Sequence, residues 1–177
     1  MIWVLRLGHR PVRDARITTH VCLVARAFGA DRVLLTTRDA SVVDSVRDVT
    51  RRFGGPFEIE AGVSWREVVR TFPGTVVHLT MYGEPFEQAV PALRGKDVLV
   101  VVGAEKVPGE LYAKANRNLA VGHQPHSEVA ALAVLLHTLR PEGLHKRFFG
   151  EIEVKPSARG KRVVPAGGET SNAEPSE

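Results

Sequence analysis

The chain has 177 residues, 44% of them hydrophobic, which suits one domain with a proper core. Its single cysteine, Cys22, excludes an intrachain disulfide and fits a reducing compartment. A formal net charge of +4 admits a polyanionic partner, and the most apolar stretch, residues 129–136, is far too short to span a bilayer.

The first predicted element is a strand over residues 2–7, without the long apolar run of a signal peptide. A cytoplasmic protein with no membrane partner is the expectation. The segment that follows, RLGHRPVRDARITTH, sets Arg10, Arg13, Arg16, His9 and His20 against one acid, Asp14. Several guanidinium groups on one loop match RNA phosphates, so Arg10, Arg13 and Arg16 are the candidate RNA contacts. A merely solvated basic loop is the alternative. No aromatic RNP-type motif is present, which favours recognition by shape and backbone.

The pattern then alternates. Helices are expected over 18–28, 41–53, 64–72, 85–93 and 127–139, and strands over 32–36, 57–61, 75–80, 97–102 and 118–121. Gly29 and Gly54 follow helices, where a left-handed cap is favoured. Ser64 with Glu67 three residues on has the pattern of a capping box. The helix from Ser127 is apolar nearly all round, which suits burial against a second copy of the chain or an ordinary core position. Most strands are Val-, Ile- and Leu-rich without strict alternation, as in a parallel sheet covered on both faces. The whole reads as an α/β fold with a mostly parallel sheet. Residues 1–150 form the domain, 151–164 a basic extension, and the Gly-, Ser- and Glu-rich stretch 165–177 a disordered tail.

Two strands run into polar turns close together in sequence: VLVVVGAEKVPGELY from Val98 and LAVGHQPHSEVAALAVLL from Leu119. In an open α/β sheet, ligands sit beyond the carboxyl ends of strands, so both loops can wall one pocket. GAEKVPG lacks the Lys-Ser or Lys-Thr of a phosphate loop, and no G-x-G-x-x-G follows a strand. His123, His126 and Glu128 lack the spacing of a metal site, so no metal is expected. Capping of the helix by Ser127 or His126 is the simpler reading. His78, His137 and Cys22 lie in apolar contexts and read as packing or surface groups.

VVVGAEKVPGELY resembles the G-x-E motif of the SPOUT class of RNA methyltransferases, and VGHQPHSEVAALAVLL resembles the last motif of that class. LRLGHRPVRDARITTHVCLVARAFGADRV, HLTMYGEP and VGHQPHSEVAAL together resemble the archaeal tRNA (cytidine-56-2'-O)-methyltransferase family, over roughly residues 2–150. That resemblance implies a SPOUT-type fold with a C-terminal deep trefoil knot, a homodimer, and S-adenosylmethionine as methyl donor. Carried over position by position, the donor site comprises Leu79, Gly103, Ala104, Glu105, Lys106, Val107, Val121, Gly122, His123, Gln124, Pro125, His126, Ser127 and Glu128. His123 stands where the family has Asn, and an imidazole keeps hydrogen-bonding capacity there.

The implied reaction moves a sulfonium methyl to the ribose 2'-hydroxyl of cytidine 56 in the T-loop of tRNA. It needs alignment, which lowers a barrier by roughly 7–11 kcal/mol when geometry is good, and a group to take the hydroxyl proton. Related enzymes use an arginine six residues before the helix-ending glycine; counting back from Gly29 gives Leu23. Arg16, His20 and Arg26 are the nearby alternatives, with Arg16 preferred at the loop–helix junction, His20 better suited in intrinsic pKa, and Glu105 orienting the pocket. The competing readings are a SPOUT enzyme acting on another RNA nucleotide and a non-catalytic RNA-binding knot protein.

Overall fold

The computed structural model describes residues 1–104 and 106–167. Strand β1 (Ile2–Arg6) leads through the basic loop to helix α1 (Ala15–Ala27). Then follow β2 (Arg32–Leu35), α2 (Ala40–Phe53), β3 (Glu58–Ala61), α3 (Trp65–Thr71), β4 (Thr75–Pro85) and α4 (Phe86–Leu93). The domain is completed by β5 (Val98–Val102), α5 (Gly109–Lys114), β6 (Arg117–Ala120) and α6 (Glu128–Leu139). A 3-10 turn (Pro141–His145) leads to a two-stranded antiparallel hairpin, β7 (Ile152–Lys155) and β8 (Arg162–Pro165).

The main sheet has the order β3-β2-β1-β5-β4-β6, and all its pairs are parallel. The continuous apolar strands are explained by two covered faces. Val4, Val33, Val77, Val98, Val100 and Leu119 point into the larger core with α1, α2, α4 and α6. Leu5, Leu34, Val76, Leu99 and Val101 point the other way, onto Val69 and Phe72 near α3 and Leu111 of α5. All five residues of β5 are buried, and each such side chain contributes roughly 1.5–3 kcal/mol relative to exposure.

Four features differ from the sequence-based expectation. Ser64 is the residue before α3, yet its side chain makes no capping hydrogen bond; at that end of the helix Trp65 and Val68 pack against the smaller core. Strand β4 runs on to Pro85, past a register shift between Leu79 and Glu84 opposite Leu119. The short helix α5 was not anticipated, because its six residues offer too little periodicity. The basic extension is the hairpin, and Pro165 closes β8, with the Ala166 N–H donating to Glu151 O at 2.9 Å. The rest of the expected tail, 168–177, lies outside the described residues. Gly54 has φ +79°, as its capping position requires, and Ser127 caps α6 by accepting from the Val129 N–H at 3.2 Å.

Candidate active site

The chain leaves β1 toward β2 on one side of the sheet, whereas β5, β4 and β6 lie on the other. The carboxyl ends of β1 and β5 therefore flank a topological switch point, where open α/β sheets bind ligands. A cavity of about 380 Å³ lies beside it. Its walls are the end of β4 with its irregular segment (His78 to Tyr82), the end of β5 (Val102, Gly103, Ala104, with Val107), Tyr112 of α5, and Val121, Pro125, His126, Glu128 and Ala131. The two loops singled out by sequence thus form one pocket, of a size that suits a small organic ligand.

The first loop is tightly built. A Cβ on Gly103 would come within 2.1 Å of Val107 Cγ2, so a larger residue here would force the Val107 side chain to shift. In the second loop the imidazoles are tied to backbone carbonyls. His126 Nε2–H donates to Val121 O at 2.6 Å, and His123 Nε2–H donates to Gly83 O at 3.0 Å. The histidine at 123 therefore links its loop to the β4 segment across the pocket rim.

Arg6 joins the walls from below. Its side chain, 1% exposed, donates from Nη1 to Gly103 O at 2.5 Å and from Nη2 to Glu128 Oε1 at 2.9 Å. One guanidinium fork thereby sets the spacing between the β5 loop and the start of α6. Its Nε has no partner among the described residues. Glu128 is a third exposed and lines the cavity, so it faces Arg6 on one side and the pocket on the other.

His78 is the second buried polar group. Asn118 Nδ2 donates to Tyr112 O at 2.9 Å, which turns Asn118 Oδ1 toward His78 Nδ1, also 2.9 Å away. Nδ1 thus carries the proton, and Nε2 is left with a lone pair and no partner among the described residues. Burial holds the His78 pKa below the usual histidine range, against the raising effect of Asn118, so the ring is neutral. Its face meets Tyr112 edge-on, with centroids 4.7 Å apart.

The basic loop after β1 is pinned at three points. Arg10 grips Asp14 through Nε at 2.8 Å and Nη2 at 3.0 Å, and the Arg10 backbone N–H adds a third bond at 2.9 Å. This ligation holds the Asp14 carboxyl at about 2. Buried His9 donates from Nε2 to Asp39 Oδ2 at 2.8 Å, and its Nδ1 lies 2.9 Å from the Thr18 hydroxyl. Asp39 also caps α2 through Ser41 and Val42, and with His9 these bonds bring it to about 2. Between the pins, Val12 sits 94% exposed at φ +69°. That backbone is strained for a β-branched residue, by about 1–3 kcal/mol.

Of the donor-site residues expected from sequence, Leu79, Gly103, Ala104, Val107, Val121, Pro125, His126 and Glu128 line the cavity. Lys106, Gly122, His123, Gln124 and Ser127 lie on the same loops without lining it, and Glu105 lies outside the described residues. Arg16 and His20 are exposed on α1 and are not part of the lining, and Arg13 is exposed in the loop. Arg26 is structural: Nη2 donates to Gly54 O at 2.5 Å, and the guanidinium stacks on Phe148. Sequence reasoning missed Arg6, His78 and Tyr112. A charged residue closing an otherwise apolar strand, as in WVLRL, was the available signal for Arg6.

The family model described as tRNA ribose 2'-O-methyltransferase, aTrm56, matches residues 53–164. A relative from Methanothrix thermoacetophila, named tRNA (cytidine(56)-2'-O)-methyltransferase, is 56% identical over 171 residues, covering 94% of this chain and 98% of its own. One of the same name from Pyrococcus horikoshii is 53% identical, covering 95% and 87%. Among solved structures, a putative RNA methyltransferase of the TrmH family from Porphyromonas gingivalis superposes with TM-score 0.62 at 17% identity, over 80% of this chain and 59% of that one. The SpoU methyltransferase AviRb from Streptomyces viridochromogenes, in complex with the cofactor AdoMet, gives 0.58 at 14%, over 83% and 59%. This chain thus spans about three fifths of each of those two structures, and the likeness is one of fold. With a matched model over most of its length and relatives above half identity from end to end, the chain belongs to the tRNA ribose 2'-O-methyltransferase family.

Proposed function

We propose that the chain transfers the methyl group of S-adenosylmethionine to the ribose 2'-hydroxyl of cytidine 56 in the T-loop of tRNA. The observation that carries this reading is the single cavity made by the Gly103–Val107 and Val121–Glu128 loops at the switch point. The relatives that match nearly the whole chain carry that activity in their names. The cavity also fits the donor. It offers apolar walls from Leu79, Val102, Val107 and Ala131, and the Glu128 carboxylate to a cation.

When bound, the donor supplies a methyl made electrophilic by its positive sulfur. Leu79, Gly103, Ala104, Val107, Val121, Pro125, His126 and Glu128 would hold it from the cavity walls, Lys106, Gly122, His123, Gln124 and Ser127 would support it from the same loops, and Glu105 would orient it. The chain must then present the 2'-oxygen in line and take up the hydroxyl proton as the new O–CH3 bond replaces S–CH3. Arg16 is assigned to the 2'-oxygen, with His20 as the alternative proton acceptor. Both are exposed on the first half of α1, which follows the carboxyl end of β1. Arg10 and Arg13 contact phosphates of the same strand. The segment from β6 through α6 forms the trefoil knot, the protein is a cytoplasmic homodimer, and the outer face of α6, with Ala130 and Val134 exposed, supports the dimer.

The test is binding of the donor to the whole chain, followed by melting. A ligand at a hundred times its Kd that binds only the folded state adds about 2.7 kcal/mol, so the melting temperature must rise. No rise at saturating S-adenosylmethionine would favour a non-catalytic RNA-binding protein.

A further inference from the structure

The hairpin and the segment leading to it, HKRFFG (145–150), play no part in the donor cavity. They pack on the C-terminal ends of α1 and α2. In a parallel sheet with helical crossovers, those helix ends lie at the amino ends of the strands, opposite the cavity. The attachment is rigid. Phe148 is held under the Arg26 guanidinium, 5.0 Å from its ring centroid. The Glu151 N–H donates to Arg52 O at 2.8 Å. A Cβ on Gly54 would meet the Phe149 carbonyl carbon at 2.4 Å, so the two chains run in backbone contact.

What this anchor presents is unusual. Phe149 is 88% exposed, two residues from Arg147, whose side chain is 80% exposed and whose Nη2 lies 3.6 Å from Glu153 Oε1. Lys146, Arg159, Lys161 and Arg162 are exposed and enter no ion pair with a described residue. Phe149 lines one hollow with Lys146 and Arg147, and Lys161 and Arg162 extend the positive charge along the hairpin; an exposed aromatic ring with cations is the combination that stacks a base and tracks a phosphate backbone. A second copy fits poorly, because an isologous contact would bring these like charges together. The family model's match extends to residue 164, inside β8, so the hairpin belongs to the region that the model describes.

We propose that this face is a second tRNA contact, with Phe149 as a stacking platform and Lys146, Arg147, Lys161 and Arg162 as phosphate contacts. The proposal rests on the tRNA methylation reading and deepens it. The five residues of β1 separate this face from the cavity by at least about 17 Å. The RNA it touches is therefore remote from the methylated nucleotide, in the body of the tRNA.

The experiment compares wild type, Phe149→Ala, Lys146→Ala/Arg147→Ala and Lys161→Ala/Arg162→Ala, each checked for an unchanged melting temperature. Binding is measured to full-length tRNA and to a short stem-loop carrying the target cytidine. The expected result is at least a fivefold loss for full-length tRNA, a shallower salt dependence for the charge variants, and unchanged stem-loop and S-adenosylmethionine affinities. Unchanged tRNA affinity, or an equal loss on both RNAs, would overturn it. So would variants that lose self-association, since the face would then be an interface between copies. Wild-type protein that methylates neither RNA would instead defeat the underlying reading, and the proposal with it.

Discussion

At the scale of single residues, the buried polar groups do more than the exposed ones. Arg6 is the clearest case, because it holds Gly103 and Glu128 at once. Arg6→Met would strip a hydrogen bond from each, at a cost of roughly 1–3 kcal/mol in stability. The pocket should lose more than the fold does: S-adenosylmethionine affinity is expected to fall at least tenfold, with partial recovery in Arg6→Lys. Titration calorimetry on both variants checks this, and donor affinity equal to wild type in Arg6→Met would remove Arg6 from the site. Neither Arg6 nor His78 was legible in the sequence as a site residue. Arg6 finds its partners 97 and 122 residues away, and His78 finds Asn118 40 residues away. Local pattern rules see only the apolar strands around them. Cys22, read as a packing or surface group, is fully buried in the larger core. Burial pushes its thiol up to about 12, so it stays protonated and inert.

At the scale of elements, the loops were readable and the details of their support were not. The six strands of the main sheet, the helices other than α5 and the two pocket loops followed from hydrophobic runs and turn residues. The extension of β4 past its irregular segment did not, because Met81, Tyr82 and Gly83 break the apolar pattern while the strand resumes beyond them. The hairpin escaped because each strand has four residues and neither packs into the main core. The β5 loop gives a sharp prediction. Gly103→Ala puts a methyl where a Val107 methyl already sits, so the Val107 side chain on the cavity wall must shift, and donor affinity should fall at least tenfold with little change in melting temperature. The basic loop gives one in pH. Asp14 and Asp39 both sit at about 2 when folded, against an ordinary value of 3.8. Their stabilising effect is complete above about pH 4 and is lost as the pH falls toward 2. Thermal melts should show that fall, and Asp39→Asn should flatten it. An unchanged acid profile in Asp39→Asn would mean that the His9–Asp39 contact does not hold the loop.

At the scale of the molecule, one parallel sheet puts the proposed donor cavity at its carboxyl edge and a basic, aromatic hairpin at its amino edge. Helix α6 borders the cavity through Glu128 and Ala131, while its outer face exposes Ala130, Val134 and His137. In the proposed homodimer that face is covered, so Val134→Glu should shift the protein toward monomer in sedimentation. Transfer from S-adenosylmethionine to tRNA is the central claim, and one comparison tests it most directly. Methyl incorporation is measured on a tRNA transcript and on the same tRNA carrying 2'-deoxycytidine at position 56. Labelling of the first and none of the second is the expected result, because only the first has the oxygen that accepts the methyl. Equal labelling of both would contradict it.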